Sequence, residues 1–305
     1  MKAVILAGGR GSRLMPFTED LPKPLLPVAG SPILDYVTAQ LKHYCVEEEI
    51  LTLGYKAQLI CDYVSGYRGI KTRCRTEDKP LGTCGSVKHA EKFLGDVFLV
   101  LSGDCISDID LSAMADFHRA SGAEVTMAVK EADDASQYGV VKSDDRGLVT
   151  RFYEKPGSNA YGNTVNLGVY VVDRKVLSLV PENTAFDFSK DLFPLLMERK
   201  TLYSYKHTGY WSDLGSIKSY YETNRLFLSG YKYPYLDAMD ATMQLKGTNA
   251  VAKSARIYGR AAGSIICGDS VVKRGAQVFD CVVLGGKVSG AHFKRIIKDG
   301  IFVDV

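Results

Sequence analysis

Short apolar runs alternate with amphipathic stretches over the first 128 residues. The apolar runs at 2–7, 50–55 and 97–104 have the length of buried strands. Between them, 33–43 and 57–67 carry apolar residues at helical spacing. This alternation predicts an α/β fold of the Rossmann-like kind, in which a mixed but mostly parallel sheet has helices on both faces.

A different pattern follows, with four strand-like segments in quick succession between residues 123 and 172. Helical stretches at 189–199 and 216–228 then close this part of the chain. We therefore expect one α/β domain over 1–230. Gly230 and the run from Tyr231 to Pro234 mark a linker over 231–246, and a separate β-rich domain follows over 247–305.

The last segment has a six-residue period. Seven positions stand six apart, and all but the glycine are apolar: Ile266, Val272, Val278, Leu284, Gly290, Ile296 and Phe302. An earlier six-residue step, through Val251, Ile257 and Gly263, is offset by three. This six-residue pattern resembles a short left-handed β-helix of hexapeptide repeats, although a plain alternating β-region also contains this period. We expect it to support a homo-oligomer.

Composition narrows the class of protein further. The 305 residues are 46% hydrophobic, and their net charge of +3 comes from 38 basic and 35 acidic residues that are interspersed. Neither disorder nor a nucleic-acid partner is indicated. No apolar stretch approaches the roughly 18 residues of a membrane span, and no signal peptide is recognisable, so we expect a cytoplasmic protein without membrane contact. The seven cysteines form no CxxC pair, which argues against a zinc site.

The first strand runs directly into a glycine-rich loop, GGRGSR at 8–13, and a PKP triplet follows at 22–24. Glycines let backbone N–H groups approach phosphate oxygens, and Arg13 and Lys23 add positive charge, so the loop is suited to a nucleoside triphosphate. A dinucleotide fingerprint fails because Leu14 stands where its third glycine belongs, and no P-loop sequence occurs. An ordinary turn with two surface cations is the alternative.

Two acidic residues follow apolar or aromatic runs. Asp104 comes at the end of the run at 97–104, and Asp213 lies in WSDLG, over a hundred residues later. A carboxylate at the end of a buried strand needs a cation, and Mg²⁺ prefers one or two carboxylates together with substrate phosphates. Each aspartate alone could be a helix cap or turn residue, but the pair favours a magnesium site.

Eight motifs then occur in a fixed order. They are GGRGSRL at 8–14, PKP at 22–24, PLGT at 80–83, SGD at 102–104, YG at 138–139, EKP at 154–156, NLGVYV at 166–171 and WSDLG at 211–215. In this order they resemble the sugar-1-phosphate nucleotidyltransferases. These enzymes join an NTP and a sugar-1-phosphate into a nucleotide sugar and release pyrophosphate.

The resemblance implies a role for each matching position. Arg13 and Lys23 would bind the triphosphate, and Asp104 and Asp213 would hold Mg²⁺; these four would be the catalytic residues. The nucleotide would lie against seven residues: Leu6, Ala7, Gly8, Gly9, Gly11, Gly82 and Thr83. The sugar hydroxyls would meet Gly139, Glu154 and Asn166, and Lys155 would hold the sugar phosphate. For Glu154 and Lys155, an exposed pair of charges at a strand end is the alternative.

The substrates follow less directly. Members that use dTTP usually have a glutamine shortly before the LGT motif, whereas this chain has Arg-Thr-Glu-Asp-Lys at 75–79, which favours a purine. PLGTCGSV and FDFSKDLFP look most like the mannose-1-phosphate guanylyltransferase branch, which implies GTP and mannose-1-phosphate. Glucose or heptose phosphates with another NTP remain open. A non-catalytic regulatory paralogue that binds a nucleotide sugar, and an acyltransferase built on the repeats, are the rival classes.

Overall fold

The computed structural model describes residues 1–236, 239 and 243–305. Five positions of the predicted linker, 237, 238 and 240–242, lie outside these described residues. The α-helices are α1 (Ile33–His43), α2 (Ala57–Val64), α3 (Gly82–His89), α4 (Leu111–Ser121), α5 (Phe193–Arg199) and α6 (Ile217–Leu228). No helix in this described part of the chain combines the length and apolar character that a membrane span needs.

Thirteen strands precede the unassigned positions. They are β1 (Lys2–Leu6), β2 (Pro27–Val28), β3 (Ser31–Pro32), β4 (Glu48–Leu53), β5 (Lys71–Thr76), β6 (Val97–Ser102), β7 (Ile106–Ser107), β8 (Val125–Glu131), β9 (Gly139–Ser143), β10 (Val149–Glu154), β11 (Thr164–Asp173), β12 (Leu202–Lys206) and β13 (Trp211–Ser212). Eleven further strands form the last segment. They are β14 (Met243–Lys246), β15 (Asn249–Ala252), β16 (Arg256–Ile257), β17 (Arg260–Ala262), β18 (Ile265–Ile266), β19 (Ser270–Val272), β20 (Gln277–Phe279), β21 (Val282–Val288), β22 (Ala291–Phe293), β23 (Arg295–Lys298) and β24 (Ile301–Asp304).

The chain divides into two compact units. The first comprises Met1–Gly9, Leu41–Gly103 and Ser107–Trp211. Its sheet has the order β10-β9-β11-β6-β1-β4-β5, with β8 paired to β11 and β12. β1 is parallel to both β4 and β6, whereas β11 runs antiparallel to β6. The predicted mixed α/β sheet is therefore confirmed.

The apolar strand residues form the core of this first unit. Val4, Ile50 and Val100 are fully buried on three neighbouring strands. Sequence periodicity placed the helices well, because α1 has the predicted bounds. α2 ends three residues earlier than predicted, at Val64, where Ser65 caps it before a glycine. The stretch predicted at 189–199 begins as a π-helical turn and continues as α5.

The second unit joins distant parts of the chain: Arg10–Gln40, Asp104–Ile106 and Ser212–Val305. The β2–β3 hairpin lies against α6, because the Tyr220 hydroxyl donates to the carbonyl of Pro27 and the Ala29 N–H donates to Asn224 Oδ1 at 2.9 Å. The units follow spatial contacts rather than chain order, so the predicted boundaries at 230 and 247 stay predictions.

Residues 243–305, called here the C-terminal β-stack, build successive parallel turns. Val251, Ile266, Val283 and Ile297 pair in one column, at separations of 15, 17 and 14 residues. Antiparallel strands, β14 and β24, cover its two ends. The parallel stacking is compatible with the expected β-helix, and its handedness stays a prediction.

The prediction that positions six residues apart are buried is only partly correct. Ile266, Val272, Val278 and Ile296 are fully buried as expected, whereas Leu284 is half-buried, Gly290 is exposed and Phe302 is 46% exposed. The core contains four other residues after Val278: Cys281, Val283, Val288 and Ile297. The reason is geometric. Turns of 14 to 17 residues are shorter than the 18 that three hexapeptides require, so the inward register slips along the sequence.

Candidate active site

The end of β1 and the glycines after it belong to the first unit. The Ala7 N–H donates to the carbonyl of Thr52 at 3.0 Å, which extends the pairing of β1 with β4 beyond Leu6. Gly8 then passes close to Gly54, and a Cβ on Gly8 would lie 3.3 Å from the Gly54 nitrogen. A Cβ on Gly9 would meet no atom within 4 Å. A side chain at Gly8 would thus crowd the Gly54 backbone, whereas Gly9 has open space around it.

In the second unit, Gly11 starts the short 3₁₀ turn Ser12–Leu14 that carries Arg13. Gly11 has φ 65°, which is the left-handed region that favours glycine. A Cβ there would also lie 2.9 Å from the Lys23 Cβ. The loop therefore needs glycine at this position both for its turn and for the approach of the PKP segment. The Arg13 side chain is 63% exposed.

Lys23 is the buried cation of this group. Its ammonium donates to Asp104 Oδ2 at 2.8 Å and to the main-chain carbonyl of Asp213 at 2.6 Å. Its side chain is only 7% exposed, whereas that of Asp104 is 39% exposed. Proline on each side fixes the local turn, with Pro22 as the cap of the 3₁₀ segment Lys23–Leu25. Three motifs separated by 81 and 190 residues meet at this one nitrogen.

Asp213 is held by the turn that follows it. Its Oδ1 accepts from the Gly215 N–H at 3.0 Å, and its Oδ2 faces the Arg13 guanidinium at 3.8 Å. A Cβ on Gly215 would lie 2.2 Å from that same Oδ2 and 3.0 Å from Arg13 Nη2. Leu214 between them has φ 47°. The glycine therefore leaves room for the carboxylate to face the arginine.

These side chains line a pocket of about 230 Å³ within the second unit. Its walls are Gly11, Ser12, Arg13, Leu14, Lys23, Asp104, Leu214 and Gly215. Two cations there are suited to bind phosphate. Among the described residues, no group of three or more His, Cys, Asp or Glu could hold a metal. The donor set of two carboxylates fits Mg²⁺, which takes its remaining ligands from water and substrate phosphate.

Gly82 and Thr83, predicted to contact the nucleotide, begin α3 in the first unit. Gly82 has φ 70°, and a Cβ there would lie 2.8 Å from the carbonyl oxygen of Phe186. Thr83 Oγ1 donates to Asp187 Oδ1 at 3.1 Å and accepts from the Phe188 N–H at 3.0 Å. Both residues thus attach α3 to the FDFSKDLFP segment, and their contact with a nucleotide stays a prediction.

The residues expected to meet the sugar also belong to the first unit. Asn166 lies where the pairing of β11 with β8 shifts register, and its Nδ2 donates to the Tyr170 hydroxyl at 2.8 Å. A Cβ on Gly139 would lie 2.5 Å from the Phe152 ring, so packing alone requires glycine there. Glu154 and Lys155 form an ion pair of 3.7 Å at the end of β10.

Lys155 also has an uncommon backbone conformation, which it shares with Lys56, Lys200 and Lys294. Its φ is 43°, in the left-handed region that bulky side chains rarely adopt, and its side chain is 63% exposed. Its N–H donates to the carbonyl of Tyr138 at 3.2 Å, which holds this conformation. The predicted role of Lys155 toward a sugar phosphate is not tested by this geometry.

Sequence reasoning missed an aromatic pair beside Asn166. Trp211 Nε1 donates to the carbonyl of Leu167 at 3.1 Å, and its ring meets that of Tyr138 edge to face at 5.3 Å. Gly168 has φ 72°, and a Cβ there would lie 2.8 Å from Ser102 Oγ. Tyr138 and Trp211 were visible in the YG and WSDLG motifs. Only the neighbouring glycine and aspartate of those motifs had been assigned chemistry.

Comparison with known proteins shows the family of this chain. The family model described as nucleotidyl transferase matches residues 2–230. Mannose-1-phosphate guanylyltransferase 1 of Arabidopsis thaliana is 32% identical over 94% of this chain and 82% of its own. Mannose-1-phosphate guanyltransferase of Candida albicans is 33% identical over 82% of this chain and 71% of its own.

A solved structure shares the fold. HddC from Yersinia pseudotuberculosis, complexed with GMP-PN, is 29% identical with a TM-score of 0.65, and the match covers 74% of this chain and 99% of that one. The matched family model spans all eight motifs, from the glycine loop to WSDLG. The chain therefore belongs to the nucleotidyl transferase family, whose members include enzymes that act on sugar-1-phosphates.

Proposed function

We propose that this protein transfers a guanylyl group from GTP to mannose-1-phosphate, forming GDP-mannose and releasing pyrophosphate. The observation that carries the proposal is the name shared by its relatives. Proteins named mannose-1-phosphate guanylyltransferase or guanyltransferase are 32 to 35% identical to this chain over most of its length. The absence of a pyrimidine-selecting glutamine before PLGT supports a purine nucleotide in the same way.

The reaction is a direct displacement at phosphorus. A phosphate oxygen of the sugar-1-phosphate attacks the α-phosphorus in line, one P–O bond forms, and the bond to the pyrophosphate leaving group breaks. No covalent intermediate with the protein is needed, so the protein contributes position and charge. The described cluster of Arg13 and Lys23 beside two carboxylates supplies that charge.

Each cation of the pocket has a distinct task in this proposal. Arg13 is exposed enough to reach solvent-borne phosphate and would stabilise the charge that builds on the leaving pyrophosphate. Lys23 is buried and held at two oxygens, so it would bind phosphate only from a fixed position. Gly8, Gly9 and Gly11 would bring backbone N–H groups to the same triphosphate.

Asp104 and Asp213 would hold Mg²⁺ in this proposal. When bound, the ion would neutralise phosphate charge and favour attack at the α-phosphorus. The chain's own contribution is the orientation of two carboxylates, one fixed by Lys23 and one by the Gly215 N–H. On the sugar side, Gly139, Glu154 and Asn166 would contact hydroxyls, and Lys155 would hold the phosphate.

Pyrophosphate release with Mg²⁺ tests the proposal directly. GTP, ATP, UTP and dTTP are each combined with mannose-1-phosphate, glucose-1-phosphate and a heptose-1-phosphate. The expected result is a dominant rate with GTP and mannose-1-phosphate. A different dominant pair would keep the reaction type and overturn the substrates. No release with any pair, together with retained binding of GDP-mannose, would favour the regulatory paralogue and overturn the proposal.

Substitution of Arg13 tests the chemistry separately. We expect Arg13→Ala to lower kcat by on the order of a hundredfold, because it removes one electrostatic donor from the developing charge. Arg274→Ala is the matched control, since it removes one exposed cation from the C-terminal β-stack. Near-normal turnover of Arg13→Ala would contradict the assigned role.

The cytoplasmic location and the homo-oligomer expected from the sequence remain predictions beside this proposal.

A further inference from the structure

Lys23 contacts both residues that are expected to hold the metal ion. Its ammonium is 2.8 Å from Asp104 Oδ2, and it also contacts the main chain of the second acidic residue, Asp213, at 2.6 Å. Asp104 and Asp213 are the two residues whose carboxylates are proposed to hold Mg²⁺. One cation of the protein therefore already neutralises the site at which a divalent cation would bind.

The lysine cannot leave this position freely. Its side chain is 7% exposed, and a Cβ on Gly11 would lie 2.9 Å from its own Cβ, so the loop packs tightly over its base. Pro22 and Pro24 restrict the backbone on both sides. A divalent ion at Asp104 would meet a fixed positive charge nearby, and like charges at close range in a partly buried site repel strongly.

A triphosphate offers the lysine a stronger partner. Its phosphates carry several negative charges, whereas Asp104 carries one, and the 230 Å³ pocket that Lys23 lines also contains Arg13 and Gly11. Phosphate oxygens would also supply the ligands that two carboxylates leave unfilled. Nucleotide binding would thus weaken the hold of Lys23 on Asp104 and would supply further ligands to the metal.

We propose that Lys23 locks Asp104 against metal binding until a nucleoside triphosphate engages the lysine, so that the metal ion enters with the nucleotide or after it. This inference rests on the proposed function, because it assumes that Asp104 and Asp213 bind the metal. Lys23 is then a positioning residue for metal entry as well as a phosphate ligand. If Lys23 only stabilised the fold, its removal would not strengthen metal binding.

Mn²⁺ binding to the full-length chain tests the lock without any turnover. Free Mn²⁺ is measured by electron paramagnetic resonance, with and without a GTP analogue whose α–β bridge is a methylene group. In the absence of nucleotide, Lys23→Met is expected to bind Mn²⁺ about tenfold or more tightly than wild type, because the competing charge is gone. If Lys23 only stabilises the fold, Lys23→Met should bind Mn²⁺ as tightly as wild type or more weakly.

Two further variants make the result specific. Lys218→Met removes one exposed charge from α6 and is expected to bind Mn²⁺ as wild type does. Lys23→Gln, a second neutral replacement, is used if Lys23→Met does not give a cooperative unfolding transition. Mn²⁺ affinity at or below the wild-type value in the folded Lys23 variant, without nucleotide, would overturn the lock.

Asp104→Asn separates this inference from the proposed function. Loss of Mn²⁺ binding in Asp104→Asn, together with unchanged binding in the Lys23 variant, would reject the lock and leave the metal site intact. Retained Mn²⁺ binding in Asp104→Asn would reject the metal site and with it the lock. The choice of nucleotide and sugar is tested only by pyrophosphate release, so its failure is recognised independently.

Discussion

Single residues of this protein have roles that their neighbours define. The sequence shows Lys23 only as a cation. Its place in the site depends on its contacts with Asp104 and with the carbonyl of Asp213. Thr83 was expected to contact nucleotide, yet its hydroxyl is engaged by Asp187 and Phe188. The type of chemistry could be predicted from such residues, whereas their partners, about a hundred positions away, could not.

Substitution of Gly215 should displace the Asp213 carboxylate without a large effect on stability. In Gly215→Ala the new methyl group would lie 2.2 Å from Asp213 Oδ2, so the carboxylate must move, while the backbone needs no positive φ. We expect roughly a tenfold to hundredfold lower kcat/KM and weaker Mn²⁺ binding in the presence of nucleotide. The measurements are the pyrophosphate assay and Mn²⁺ titration, alongside thermal unfolding.

The matched control is Gly285→Ala in β21, where a Cβ would meet no atom within 4 Å and the backbone needs no positive φ. It should leave activity unchanged. If Gly215→Ala kept wild-type kcat/KM and metal affinity, the orientation of Asp213 by this turn would not matter for the reaction.

At the scale of elements, one histidine joins a helix to the sheet. His118 in α4 is 3% exposed, and its ring contacts Thr126 Oγ1 of β8 at 2.9 Å and Asp173 Oδ1 of β11 at 3.3 Å. Burial lowers the pKa of His118, and Asp173 only partly opposes this effect. The folded state therefore favours the neutral imidazole.

This pKa shift predicts a loss of stability in acid. Below pH about 6.5 the histidine of the unfolded chain takes up a proton. The folded state resists that proton until its own lower pKa is reached, so the free energy of unfolding falls as pH drops through this window. His118→Gln should reduce the difference between the unfolding free energies at pH 7.5 and 5.5, measured with urea.

Exposed His43, at the end of α1, provides the control as His43→Gln. It should leave the pH dependence close to that of wild type. Equal pH dependence in wild type and His118→Gln would show that the buried imidazole contributes nothing to acid sensitivity.

The inward register of the C-terminal β-stack could not be predicted from the sequence. Apolar residues at a six-residue period identified a stacked β-structure, but the core after Val278 uses Val283 and Val288 rather than Leu284 and Gly290. A period of two and a period of six share many positions, so the sequence alone does not count the residues in each turn. Pairing with the previous turn decides the count.

At the scale of the whole molecule, the second unit combines the glycine loop from Arg10 onward, the PKP segment, residues 212–215 of WSDLG and the C-terminal β-stack. Helix α6, which begins just after WSDLG, is attached to the stack by Arg225 and Tyr221. Arg225 forms an ion pair with Asp280 at 3.1 Å and donates to the Gly263 carbonyl, and the Tyr221 hydroxyl donates to the Asp280 carbonyl at 2.7 Å. The stack thus supports the helix next to Asp213.

Arg225→Met is expected to loosen this attachment. It removes a charge-assisted contact on a partly exposed side chain, which should lower the free energy of unfolding by about 1–2 kcal/mol. Hydrogen exchange followed by mass spectrometry should accelerate in peptides covering 212–228, while peptides from β6 stay protected. Lys218→Met, exposed on the same helix, should leave that exchange unchanged. Unaltered exchange in Arg225→Met would mean that α6 does not depend on the stack.

The sequence by itself determined the type of fold, the family and the kinds of chemical groups at the site. Strand and helix periods, the bare glycines and the order of the motifs are local properties, and local steric and charge requirements select them. Only the tertiary structure decided that Lys23 pairs with Asp104 and that Gly215 makes room for Asp213. It also set the inward register of the β-stack. The contacts of Lys23 join residues 81 and 190 positions apart, and the register of the stack depends on pairing between successive turns, so packing rather than neighbouring sequence sets their geometry.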